Sequence, residues 1–163
     1  MKTLIVLSAI PASGKSTWAE AYRTSHENVK IISSDAIRIE ITGDFQDHSR
    51  QKEVWELFEK RIKEYSQIDG VTVILDALND LNVLRQKYVK ENQEYDKYIL
   101  VMFDTPKDDS VYYNSLREKA VRVPDFILDS LISKFEPLDD STSALYDEIY
   151  RYNWKENTTN RIK

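Results

Sequence analysis

The stretch AIPASGKST, residues 9–17, follows directly on the apolar run Leu4-Ile5-Val6-Leu7. Its reading decides the fold: a buried strand feeds a phosphate-binding loop, and the loop opens a helix. The Walker A pattern runs Gly, four residues, then Gly-Lys-Ser/Thr. Gly14, Lys15 and Ser16 supply its second half, and Ala9 stands where the first Gly falls. Each part has a task. Ala9, Pro11, Ala12, Ser13 and Gly14 form a loop whose backbone N–H groups turn inward on a β-phosphate, and Gly14 permits close approach because it has no Cβ. Lys15 adds a point charge reaching the β- and γ-phosphates. The Ser16 hydroxyl completes Mg²⁺ coordination, with Thr17 beside it. The helix aims its N-terminal dipole at the same anion. A strand–turn–helix corner that merely contains Gly-Lys-Ser is the alternative, and the order of the elements argues against it. If position 9 requires a positive φ, Ala9 strains the loop by about 1 kcal/mol.

At 163 residues the chain is long enough to bury its own core as one domain, residues 1–154, followed by a polar tail, 155–163, that is expected to fray. No apolar run reaches membrane-spanning length, and Met1-Lys2 leads straight into the strand the loop requires, so no cleaved leader is expected. The absence of Cys fits a reducing, cytoplasmic setting. With 23 basic against 28 acidic residues the net charge is −5, which excludes a global basic field for nucleic acid. A polynucleotide contact must then come from a local basic rim. The ten Tyr and three Trp are scattered along helices and are read as packing residues.

Three further β-rich runs follow, at residues 29–32, 71–75 and 98–103, with helical stretches at 16–23, 35–42, 47–67 and 82–92 between them. In the longest, Val54, Leu57, Phe58, Ile62 and Tyr65 recur at helical spacing and form one apolar face. Strands alternating with helices imply βαβ units and a parallel sheet covered on both faces. Beyond Thr105-Pro106 a polar helix is expected over 108–120, and Pro124 opens another over 125–135. Residues 144–152 fit either a fifth strand or a short helix.

Ligands of open α/β sheets sit at the carboxyl ends of the strands. After the second strand comes Ser33-Ser34-Asp35-Ala36-Ile37-Arg38, and after the third Asp76-Ala77-Leu78-Asn79. Asp76 ends an apolar strand in the Walker B manner and is aimed at Mg²⁺; a turn-starting Asp is the alternative. Asp35 sits in a first helical turn, where the dipole alone favours an acid. Arg38, three residues on, shares its face. Together they suit an acceptor hydroxyl and a nearby phosphate, with Asp35 taking the proton. Arg117, Lys119 and Arg122 are read either as a solvated charged face or as a lid, about 107–124, that closes an arginine over the γ-phosphate. Arg117 is the first choice and Arg122 the reserve.

The chain resembles the P-loop kinase domain of phage polynucleotide 5′-hydroxyl kinases and the wider group of small P-loop kinases. The likeness spans about residues 3–138 and rests on GKSTWA at 14–19, Asp35 with Arg38, Asp76 with Asn79, and Asn114-Ser115-Leu116-Arg117 followed by Val123-Pro124. It implies a three-layer α/β fold with a parallel sheet of about five strands, order 2-3-1-4-5. It also implies ATP and Mg²⁺ as cofactors and the 5′-hydroxyl end of a nucleic acid as acceptor. By position, Asp35 becomes the general base, Arg38 the contact to the phosphate on the 3′ side of the end nucleotide, and Arg117 the contact to the transferred phosphoryl group. Ala9, Ala12 and Ala36 depart from the family's usual residues, as does Tyr113 where an arginine is common. Two other readings remain: a P-loop kinase for a small-molecule or another nucleic-acid hydroxyl, and a nucleotide-binding interaction protein without turnover.

Overall fold

The computed structural model describes all of residues 1–163. Its frame is one six-stranded sheet in which β1 (Thr3–Ser8) lies between β3 (Thr72–Asp76) and β4 (Lys97–Phe103). β2 (Val29–Ser33) flanks β3, and β5 (Glu148–Asn153) flanks β4. These strands are parallel, in the expected order 2-3-1-4-5. Register matters at the carboxyl edge: Ser33 pairs with Asp76, so the loops after β2 and β3 leave the sheet side by side.

Alternation along the strands separates two cores. Leu4, Val6, Val73, Leu75, Leu100 and Ile149 pack toward Val54, Phe58 and Ile62 of α3 (Gln51–Tyr65) and Tyr88 and Val89 of α4 (Asn82–Glu91). On the opposite face Ile5, Leu7, Ile74, Val101 and Phe103 meet Ala19, Trp18 and Tyr22 of α1 (Lys15–Ser25).

Several boundaries differ from the sequence reading, each for a local reason. The helix expected over 47–67 begins only at Gln51, because side chains upstream capture the backbone. Asp44 accepts from the Gln46 N–H at 2.9 Å, and Asp47 accepts from the Ser49 N–H at 2.9 Å. The helix expected over 108–120 is α5 (Lys107–Ser115) plus a 3₁₀ turn at Lys119–Val121. There the buried Asn114 amide pairs in both directions with the Val123 backbone, at 2.7 and 3.0 Å, and folds the chain back. Residues 144–152 resolve as the turn after α7 (Asp140–Ser143) and then strand β5. The tail does not fray: β6 (Thr158–Arg161) pairs antiparallel with β5, so the sheet has a sixth strand. Alternation there is masked because every residue of β6 is exposed.

Arg85 is the least anticipated core residue. It is 0% exposed, and its guanidinium donates to Ser8 Oγ, the Asn79 and Glu136 carbonyls and Asn82 Oδ1, all within 3.0 Å. Burial pulls its pKa down, opposed chiefly by Glu136 and Asp80. Replacing it with Met keeps the bulk but removes a donor from each of these oxygens and leaves the Glu136 carbonyl without one, which costs about 3 kcal/mol or more. Urea denaturation of Arg85→Met checks this; a loss below about 1 kcal/mol would mean the oxygens find other donors.

Candidate active site

The loop between β1 and α1 has two left-handed residues, Ala12 (φ 56°) and Gly14 (φ 83°), and Ala9 is not one of them. Ala9 is fully buried in the α1-side core and donates its N–H to the Leu78 carbonyl at 2.9 Å. The missing first Gly therefore brings no backbone strain at position 9. Such strain, about 1 kcal/mol, falls on Ala12 instead. Ser13 Oγ donates to the Ile10 carbonyl at 2.6 Å and pins the turn. No side chain caps α1, which leaves its first N–H groups free to meet an anion.

At the mouth of this loop Ser16 Oγ donates to Asp76 Oδ2 at 2.7 Å, and Lys15 Nζ lies 3.9 Å from Asp76 Oδ1. All the oxygen donors are hard, one carboxylate and one hydroxyl. That set fits Mg²⁺, which keeps several waters and takes its remaining oxygens from phosphates. No cluster of three or more His, Cys, Asp or Glu that could hold a metal on its own occurs in the chain.

Two clefts open beside the loop. The larger, about 490 Å³, is lined by Lys15, Asp35, Arg38 and Arg117 together with an apolar wall that includes Phe45 and Trp55. Asp35 and Arg38 come from α2 (Ser34–Thr42), which Ser33 caps by accepting from the Ala36 N–H at 3.2 Å. Arg38 is 6% exposed and donates to Asp35 Oδ1 at 2.9 Å and Gln51 Oε1 at 3.0 Å. The Asp35 side chain is 44% exposed, lines this cleft, and meets Arg38 through Oδ1. The smaller cleft, about 370 Å³, runs from Ala12, Ser13, Gly14 and Thr17 to Tyr113, Tyr152 and Trp154. Arg117 lines both.

The structure therefore brings Lys15, Asp35, Arg38 and Arg117 to one cavity, with Ser16 and Asp76 at the loop mouth. Asn79 also lines this cavity, and Arg122 does not. Asn79, expected at the substrate, has a committed amide: Nδ2 donates to the Leu7 carbonyl at 2.6 Å and Oδ1 accepts from Tyr88 at 2.8 Å. Its role is to hold the loop after β3, in a left-handed conformation (φ 47°). Arg122 lines neither cleft, and its guanidinium donates to the Arg117 carbonyl at 3.1 and 2.7 Å. Sequence reasoning missed Phe45, Gln46, His48 and Gln51, which line the larger cleft. Phe45 and Gln46 fall between two stretches read as helix, His48 and Gln51 at the start of the second, and no motif marks them.

Solved structures share this fold. A component of the PezAT toxin–antitoxin system of Streptococcus pneumoniae superposes with TM-score 0.68 at 18% identity, covering 98% of this chain and 69% of that one. Kti12 of Chaetomium thermophilum, solved with ADP-AlF3, gives TM-score 0.69 at 17% identity over 93% of this chain and 89% of its own. A chain of the Pnkp1/Rnl/Hen1 complex gives TM-score 0.61 at 25% identity, covering 77% of this chain and 44% of that one. No curated protein matches the sequence. The family described as chromatin associated protein KTI12 matches residues 2–144. No helix is long and apolar enough to cross a membrane.

Desolvation first, and then the Arg38 guanidinium, hold the His48 imidazole below its ordinary pKa; Asp35 and Asp47 oppose them. Following the ring protons by NMR, its midpoint lies below that of a free histidine and rises in Arg38→Gln. A midpoint unchanged by that substitution would mean Arg38 does not face His48. The depressed pKa also makes His48 contribute stability above the unfolded value, lost as pH falls through the folded one.

Proposed function

The chain belongs to the KTI12 family, and from its cleft we propose that it is an ATP-dependent kinase acting on a hydroxyl, with the 5′-hydroxyl end of a polynucleotide as acceptor. The observation that carries this is the convergence of an exposed carboxylate, Asp35, with Lys15 and Arg117 in a single cavity against the phosphate loop. A protein that only bound nucleotide would have no need of a carboxylate facing the terminal phosphate.

In this reading residues 9–17 hold the triphosphate of ATP, and the smaller cleft takes its nucleoside between Thr17 and the aromatic side chains of Tyr113 and Trp154. Ser16 and Asp76 would hold Mg²⁺, which would supply positive charge against the phosphates. Asp35 accepts the proton of the acceptor hydroxyl as its oxygen bonds to the γ-phosphorus and the bond to the β–γ bridging oxygen breaks, releasing ADP. Arg38, oriented by Gln51, binds a phosphate of the acceptor and holds Asp35 in place. Arg117 and Lys15 stabilise the negative charge spread over the transferring group; an arginine so placed is worth about 10³–10⁵ in rate. Support for a nucleic-acid acceptor comes from the motif resemblance and from the fold shared with the Pnkp1/Rnl/Hen1 chain.

One observation favours a second reading, a small hydroxylated acceptor. Arg38 is the sole cation on the acceptor side of the larger cleft, whose far wall is apolar (Trp55, Leu84, Ile127, Leu131), in a protein of net charge −5. Salt separates the two readings. A single strand held through Z phosphates loses affinity with a log–log slope of about −0.7Z, whereas a small acceptor gives a shallow response.

The decisive test is transfer of labelled γ-phosphate to a panel of 5′-hydroxyl oligonucleotides, nucleosides and small alcohols. Asp35→Asn is expected to bind ATP as the unmodified protein does while losing about 10²–10⁴ in transfer. Binding without transfer to any acceptor would leave a nucleotide-binding interaction protein instead.

A further inference from the structure

The lid and the acceptor wall are joined by one side chain that no motif marks. Gln46 sits on the loop between α2 and α3, half-buried, with Phe45 and His48 beside it in the larger cleft. Its Nε2 reaches across to the lid and donates to the Arg122 carbonyl, with the Ala120 carbonyl 3.4 Å away. Arg122 in turn donates from Nε and Nη2 to the Arg117 carbonyl at 3.1 and 2.7 Å. On the other side Arg38, bonded to Asp35, donates to the Phe45 carbonyl at 3.4 Å and lies 5.7 Å from the centre of the Phe45 ring. A continuous polar chain thus runs Asp35, Arg38, Phe45, Gln46, Arg122, Arg117, around the mouth of the cavity.

The lid has its own anchor at its other end. Ser110 Oγ donates to the Pro11 carbonyl in the phosphate loop, and Asn114 clips the Val123 backbone. These fix α5 and the chain at Val123. The segment between them, which carries Arg117, is exposed over 118–122 and held toward the cavity by Gln46.

We propose that Gln46 is a positioning residue. It ties the acceptor wall to the lid and thereby sets Arg117 against the transferring phosphoryl group. This rests on the assignment of Arg117 above. The consequence is a coupling: an acceptor that engages Arg38 and the Phe45–His48 wall stiffens the loop from which Gln46 reaches and so firms the placement of an arginine that already lines the cavity. Positions several residues from the chemistry gain this effect because a misplaced charge in the transition state loses most of its value.

The test uses the full chain and needs no acceptor. ADP reports the diphosphate site, and ADP with aluminium fluoride and Mg²⁺ mimics the transferring group. Calorimetric affinities are compared for the unmodified protein, Gln46→Ala, Arg122→Ala, the double variant and Arg117→Ala. The expectation is that Gln46→Ala binds ADP unchanged but loses about fivefold to tenfold of the added affinity conferred by fluoride, the scale of one hydrogen bond. Arg122→Ala does the same, and the double variant loses no more than either single one, since both act on one chain. An Arg117→Ala loss with no Gln46→Ala loss overturns the proposal and leaves the Arg117 assignment standing. No fluoride effect on Arg117→Ala overturns that assignment itself. If Gln46→Ala weakens ADP and ADP–fluoride equally, or lowers the melting temperature while keeping the fluoride gain, Gln46 is structural only and the proposal fails.

Discussion

The adjacency of β1 and β3 is the constraint on which the rest depends. Parallel pairing of Val6 with Leu75 puts the end of one strand next to the end of the other. The first residues of α1 and the last residue of β3 therefore meet, with Ser16 and Lys15 on Asp76. Residues far apart in sequence become one oxygen-rich corner in front of an uncapped helix N-terminus. Lys15 and Asp76 are both buried there, and an isolated buried charge would be expensive. Each supports the other, which keeps the corner pre-formed.

Behind that corner lies a second layer of buried polar groups bonded to one another and to the backbone. Arg85 and Asn79 fix the loop after β3 by bonding backbone oxygens of residues 7, 79 and 136. Ser8 Oγ adds a bond to the Asn79 carbonyl at 2.7 Å. The wall of the larger cleft at Leu78, Asn79 and Asp80 is thereby held by hydrogen bonds as well as packing. Rigidity of this kind is what the proposed transfer would need to aim a hydroxyl at phosphorus. The segment 107–124, expected as a lid, has a different character, with few buried residues, Tyr112 and Leu116 exposed, and its hydrogen bonds to the phosphate loop and the 43–50 loop made by single side chains.

Legibility in the sequence followed physical locality. A parallel sheet could be read because the first four strands are short apolar runs joined by helices; the strand order came with the family resemblance, and β5, a mixed EIYRYN run, could not be told from a helix. The phosphate loop could be read because its residue types are dictated by backbone approach and charge. Asp35, Arg38 and Arg117 were found as candidates at strand ends and in the lid, and they do line one cavity. What escaped depends on contacts remote in sequence. Asn79 lines the cleft as expected, but that its amide is bonded to Leu7 and Tyr88 could not be read from the motif. Arg122 looked like a spare catalytic arginine, yet it supports the Arg117 carbonyl. β6 carries no apolar alternation, because it pairs at an edge with both faces in water. Strain attributed to Ala9 belongs to Ala12, since residue type at a motif position does not reveal which residue turns left-handed.

The account stands or falls on a Mg²⁺-assisted triphosphate held by the corner of Lys15, Ser16 and Asp76. Calorimetric titration with ATP, with and without Mg²⁺, on the unmodified protein, Lys15→Ala and Asp76→Asn, tests it most directly. Mg²⁺ should tighten ATP binding, Asp76→Asn should remove that gain while still binding ATP alone, and Lys15→Ala should remove ATP binding. Affinity indifferent to both the cation and Lys15 would contradict the account.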